Sequence, residues 1–389
     1  MNLNLAATLG VSSLRAVKSM TLAACVAGLV ACSSGPEKPK PAELSANVAL
    51  INTRLVWSAR LGSVNFPLEL AVGKRADGFS VTTASGEGLV VSFDAKDGRE
   101  LWRANLATTL AAGVGSDGTL AAVVTQANEI VILDAGRILW RQKLGAAAFT
   151  APLVAGGRVF VLGSDRSVTA FDGQTGRKLW SQKRPTEALV LRQSGVLLAV
   201  DDTLVVGLAG RLVGMNFLDG SIRWETPIAT ARGTNDVERM VDLVGRVSRE
   251  EDVVCARSFR VSVGCVNAVK GTLLWTKPAA GFDGIHGDAN SVFGVETDGK
   301  IIAWNRSNGE RLWSTERLQY RNLTSPAVVG RTIAIGDSTG LVHLLSKNDG
   351  SPLTRLTTDG SAIASAPTLA GNTLVVTTRN GGVFGFAIE

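Results

Sequence analysis

The residues best suited to covalent or metal chemistry are few in this chain of 389 residues: four cysteines and two histidines. Cys255 and Cys265 lie in what reads as two adjacent antiparallel strands joined around Ser258 to Val261. An odd-length turn there sets them directly opposite each other, within bridging reach. In an oxidising compartment a disulfide then competes with the alternative of two buried thiols. His286 and His343 sit in no metal-ligand spacing with cysteines or carboxylates, and His343 falls within a strand pattern. Both read as structural or surface residues. The chain has no Gly-x-Ser-x-Gly, phosphate loop or metalloprotease motif. No catalytic residue, metal site or cofactor is therefore expected. The remaining thiol with chemistry to do is Cys32. It ends the run Leu29-Val30-Ala31-Cys32, after an apolar stretch from Met20 to Val30 that Arg15 and Lys18 precede. A thiol with small neighbours at such a boundary is placed to accept a lipid.

This arrangement resembles the bacterial lipobox, where a signal peptide (here 1–31) is removed and the cysteine becomes the acylated N-terminus. The alternative is an uncleaved anchor, but the apolar stretch is short against the roughly 20 residues a spanning helix needs. Ser33, in the place where Asp would stand, resembles the pattern of lipoproteins sent to the outer membrane. The expected location is therefore the periplasmic side of the outer membrane, held by lipid. Residues 32–46 then read as a Pro/Lys-rich tether, extended and stiffened by proline. Removing Arg15 and Lys18 takes two from a net charge of +6. What remains is mildly basic, without the Lys/Arg runs and interleaved aromatics of a nucleic-acid binder.

The elements that would position any site come from a repeat in the body, 47–389. Its clearest unit is a short apolar strand, Asp or Asn, a turn to Gly, then Leu-Trp. It occurs as Phe93-Asp94 to Gly98 and Leu101-Trp102, as Phe171-Asp172 to Gly176 and Leu179-Trp180, and as Trp304-Asn305 to Gly309 and Leu312-Trp313. A tightened copy runs from Leu133-Asp134 through Gly136 to Leu139-Trp140, and looser copies span 216–224 and 267–275. Asp or Asn bonds its own turn amides, Gly takes the positive φ of the reversal, and Trp offers a large apolar surface for packing. A ligand-stacking ladder is the alternative role for these tryptophans. A second strand follows a proline and stops at Gly, as in Pro152 to Gly156, Pro326 to Gly330 and Pro367 to Gly371. Each repeat thus reads as about four antiparallel strands.

The repeat Trp falls at 57, 102, 140, 180, 224, 275 and 313, with Thr354 in its place in the last full copy. These spacings match the roughly 40–50 residues of a propeller blade. The chain begins with a lone Trp strand and ends with strands that no Trp follows. An all-β fold is therefore expected: an eight-bladed β-propeller of four-stranded antiparallel blades, with the N-terminal strand completing the last blade.

No repeat Trp is followed by Asp, which sets the repeat apart from the WD40 kind; it resembles the quinoprotein type. That superfamily includes quinone dehydrogenases, which have a vicinal cysteine pair; Cys32, Cys255 and Cys265 are not vicinal. With its lipobox and tether, the whole chain resembles the BamB family of outer-membrane protein assembly factors. Glu187-Ala-Leu189-Val-Leu191-Arg192 is similar to the family's Leu-x-Leu-Arg segment, and Asp236-Val-Glu238-Arg239-Met-Val-Asp242 to its Glu-x-x-Arg-x-x-Asp loop. The resemblance implies a non-catalytic scaffold. It implies docking on the periplasmic domains of BamA through Leu189, Leu191, Arg192, Arg239 and Asp242, with unfolded outer-membrane proteins as further clients. Val244 departs from the pattern, which often has a second Asp there. The bland reading makes the leucines alternating strand residues and the charges solvated. The competing function is a periplasmic quinoprotein-like enzyme or ligand-binding propeller.

Overall fold

The computed structural model describes residues 39–184, 190–231 and 240–388. Every regular element among them is a strand, and the strands form eight separate four-stranded antiparallel sheets. Blades 1 to 7 each use four consecutive strands, spanning 71–105, 115–143, 153–182, 197–227, 243–278, 285–315 and 327–357. The expected ring closure is present. Blade 8 takes three strands from the C-terminus, and its outer strand is Thr53–Arg60, paired antiparallel with Gly382–Ile388. First strands of neighbouring blades meet and so line a central channel.

The repeat turn behaves as its residues dictate. The Asp172 carboxylate accepts the Gln174 and Thr175 amides at 3.2 and 2.8 Å, and Gly176 N–H closes the turn onto Asp172 C=O at 2.9 Å. Gly176 has φ +70°. Between the third and fourth strands of each blade the register slips once, just before the Trp. In the same way Thr354 follows a slip in blade 7, and Trp57 one in blade 8. A one-residue bulge re-aims the side chain that follows it. Here the Trp that follows it lies between its own sheet and the next blade.

The tryptophans therefore pack between blades. Trp57 Nε1 donates to Ala95 C=O, Trp140 to Gly173, Trp275 to Arg306 and Trp313 to Lys347, at 2.7–3.0 Å. Six of the seven rings cover the turn glycine of the next blade so closely that a Cβ at Gly98, Gly176, Gly220, Gly271, Gly309 or Gly350 would come within 2.4–2.7 Å of them; the tightened turn at Gly136 has no ring atom so near. Each of the apolar clusters likewise draws residues from two adjacent blades, all the way round the ring.

This geometry explains Thr354. A Trp there would need a turn between the third and fourth strands of blade 8, and those strands are the two ends of the chain. The place is filled instead by the approaching N-terminal segment. Ile51 is buried in the cluster between blades 7 and 8, and Leu50 N–H bonds to Leu353 C=O at 2.7 Å. The seating begins earlier still. Ala42 N–H bonds to Gln319 C=O at 2.9 Å, Ala42 C=O accepts from Arg321, and Leu44 packs into the cluster between blades 6 and 7.

Cys255 and Cys265 stand directly opposite in neighbouring strands of blade 5, with Cα atoms 3.9 Å apart and their sulfurs bonded. Both are fully buried in the cluster between blades 5 and 6. A non-reduced digest should yield these two cysteines in one linked peptide, and recovery of both as free thiols would contradict the bridge. The blade-to-blade contact is tested by a pair of glycines with the same φ. Gly157→Ala meets open space at φ +71° and should cost only backbone strain, about 1–2 kcal/mol. Gly176→Ala adds a collision with the Trp140 ring and should lower the urea midpoint clearly further; equal losses would remove the Trp–Gly contact as a source of stability.

Candidate functional site

The antiparallel blades put two kinds of connection on one face: the links from one blade to the next, and the turns between second and third strands. The link after Lys178–Gln182 leads to the first strand of blade 4, and the link after Ile222–Pro227 leads to that of blade 5. These links carry the expected docking residues. Leu189 and Arg239 lie outside the described residues. Leu191, Arg192 and Asp242 are described, and the structure brings them together.

Asp242 is turned inward. One of its carboxylate oxygens accepts from Arg166 Nη2 at 3.0 Å, the other from the Leu191 amide at 3.2 Å. Both partners of the ion pair are largely buried. Gly245 N–H donates to Ser194 C=O at 2.7 Å, and Gly195 N–H to Thr150 Oγ1 at 2.9 Å. The segment 190–195 is thus fastened on both sides, and Asp242 acts as its brace. Half-buried Leu191 and exposed Arg192 are what the brace presents. The Arg192 guanidinium lies over the Phe149 ring, 5.3 Å from its centroid, a cation–π contact that limits its swing. Val244, where the family pattern often has Asp, is buried within the strand. An acid there would point into apolar packing.

The same segment borders the mouth of the central channel, a cavity of about 910 Å³. Gln193 Nε2 reaches Phe282 C=O at 2.7 Å, and Ser194 Oγ donates to the Glu69 carboxylate. Burial pushes the Glu69 carboxyl up, against the opposing pull of the Ser194 bond and of Arg246. Burial pushes Arg246 down to about 10, so it stays charged at neutral pH. Sequence reading missed Arg166, Glu69 and Arg246. Gly245 inside a strand pattern was a signal for the last, since such a glycine marks a bulge. Nothing in the sequence pairs Arg166 with Asp242 across 76 positions.

The histidines serve the scaffold. His286 Nδ1 accepts the Val328 amide at 3.1 Å, and burial, helped by the charges of Arg246 and Arg306, pushes its pKa down to about 3. His343 Nε2 lies 3.0 Å from the Asp337 carboxylate, which Arg321 also binds at 2.8 Å. Burial pushes the Asp337 carboxyl up, but the hydrogen bonds from His343, Leu341 and Thr339 outweigh it and hold it below the usual carboxylate range. Among the described residues no group of three or more His, Cys, Asp or Glu is placed to hold a metal ion. The chemistry on offer at this face is recognition: a braced leucine and a guanidinium beside an open channel.

Known proteins resemble this chain over most of its length. A family model described as outer membrane protein assembly factor BamB matches residues 86–315. The outer membrane protein assembly factor BamB of Burkholderia pseudomallei is 36% identical over 94% of this chain and 96% of its own length. That of Bordetella pertussis is 32% identical over 90% of each. The crystal structure of BamB from Moraxella catarrhalis superposes with a TM-score of 0.78 at 26% identity, covering 86% of this chain and 100% of that one. A quinohemoprotein alcohol dehydrogenase from Comamonas testosteroni shares the fold, with a TM-score of 0.67 at 13% identity over 88% of this chain and 77% of that one. Since the repeat, the closed eight-bladed ring and these full-length matches coincide, the chain belongs to the BamB family of outer membrane protein assembly factors.

Proposed function

We propose that this chain is a non-catalytic scaffold of outer-membrane β-barrel assembly. It is anchored by lipid on Cys32 at the periplasmic side of the outer membrane and docks on the periplasmic domains of BamA, aiding folding and insertion of outer-membrane proteins. The observation that carries this reading is the braced segment 190–195. A rigid ring holds it in one place, and residues that bind partners concentrate on such scaffold-borne loops. Leu189, Leu191, Arg192 and Arg239 make the contact. Asp242 positions Leu191 and Arg192 by holding the Leu191 amide while it is itself held by Arg166. A second role, accepting an extended client strand at a sheet edge, is favoured by the outer strand of blade 2, Arg137–Lys143, where Ile138 and Leu139 are exposed.

Pull-down of the lipidated chain in mild detergent, followed by mass spectrometry, tests the reading. BamA should be recovered with the unaltered protein. Arg192→Glu should lower that recovery by about tenfold, a loss of about 1.4 kcal/mol. Asp242→Asn should lower it too, by loosening the segment. Undiminished recovery with both variants would overturn the site. A quinone or calcium ion retained through purification, together with dehydrogenase activity, would overturn the non-catalytic reading.

A further inference from the structure

Seven of the eight first strands are two to five residues long and pair without a break. The first strand of blade 5, Leu243–Glu250, has eight residues and a register shift between Val244 and Ser248. The bulge is built in. Gly245 takes φ +61°, and Gly284 packs so closely that a Cβ on it would come within 2.3 Å of the Arg246 backbone. Bulges of this kind re-aim a side chain, and this one sets Arg246 into the channel wall.

Arg246 donates one hydrogen bond, from Nη1 to Pro367 C=O at 2.9 Å, and keeps some of its surface open to the cavity. Arg192 and Arg379 are exposed beside the same cavity. Arg192 lies on Phe149, and Arg379 donates to Val64 C=O at 3.2 Å. Among the described residues none of these three guanidinium groups is in an ion pair. The two acids of the cavity are already engaged, Glu69 by Ser194 and Asp283 by the Ser325 and Gly284 amides. Three guanidinium groups against two carboxylates leave the cavity a net positive charge, with unused guanidinium donors, in a concave site where such charge is poorly screened.

We propose that the channel mouth receives an acidic segment of the docking partner, with Arg246 binding its carboxylate and Arg192 and Arg379 at the rim. This rests on the docking function proposed above and extends it from the surface of segment 190–195 into the channel. The bulge also ties the two together, because Gly245 donates to Ser194. An arginine that meets a carboxylate through two parallel bonds is not replaced by lysine without loss.

Affinity of the full lipidated chain for the purified BamA periplasmic domains is measured across a series of salt concentrations. Arg246→Gln should weaken binding by on the order of tenfold or more and flatten its salt dependence, with Arg246→Lys in between. A photo-cross-linking residue in place of Leu369, which lines the cavity, should capture a partner peptide containing Asp or Glu. A folded Arg246→Gln protein with unaltered affinity and salt dependence would overturn the inference. If that variant loses its thermal unfolding transition, the cross-link decides: capture at residue 369 supports the inference, and binding without capture overturns it. Absence of binding by the unaltered chain would remove the docking function itself, which separates the two failures.

Discussion

At six of the eight blade joints the ring depends on one contact, the tryptophan of one blade lying on the turn glycine of the next. A four-stranded sheet has too little surface to form a core alone, so its apolar faces must be covered by neighbours. The clusters here are shared between adjacent blades, and the Trp–Gly contact fixes how far each blade is rotated and how closely it approaches. The glycine is doubly constrained, by its positive φ and by the indole over it. The bulge before each Trp is what allows a residue of one sheet to serve the next. Repeated round a ring, the contact leaves one seam, and the N-terminal strand closes it with the same bulge and the same Trp.

That closed ring turns sequence-distant loops into a single rigid face. Segment 190–195 is braced from blade 3 by Arg166, from the link before blade 5 by Asp242, and from the link before blade 1 by Glu69. No local propensity could hold it this way. A loop of this length would otherwise lose binding energy to the cost of its own ordering. The scaffold meets that cost in advance, and the channel beside the segment gains its depth and charge from the same convergence of links.

Much of the architecture was legible because a propeller is written as a repeat. Asp-to-Gly turns, the Trp interval and the offset between first and last strands each have a local cause, so they survive in the linear text. The pairing of Cys255 with Cys265 was legible for the same reason, as a hairpin is local. The substitution at 354 was visible but had no meaning until the seam showed that blade 8 lacks the turn a Trp would cover. The site was legible in part. Leu191, Arg192 and Asp242 came from motif similarity, yet Asp242 proved to be the brace, with its carboxylate spent on Arg166 and a backbone amide.

By itself the sequence determined the strand period and the turn chemistry, which are set by residues within one repeat length, and the number of blades and closure of the ring, which follow from the count of repeats and the offset between the first and last strands. Only the tertiary structure decided which charges stay available. Arg166 and Asp242 cancel each other across two blades, whereas Arg246, raised on a bulge, feels the Glu69 carboxyl but makes no ion pair among the described residues. Electrostatic partners are set by distance in space, and in a ring the nearest neighbours of a side chain lie tens to hundreds of positions away along the chain.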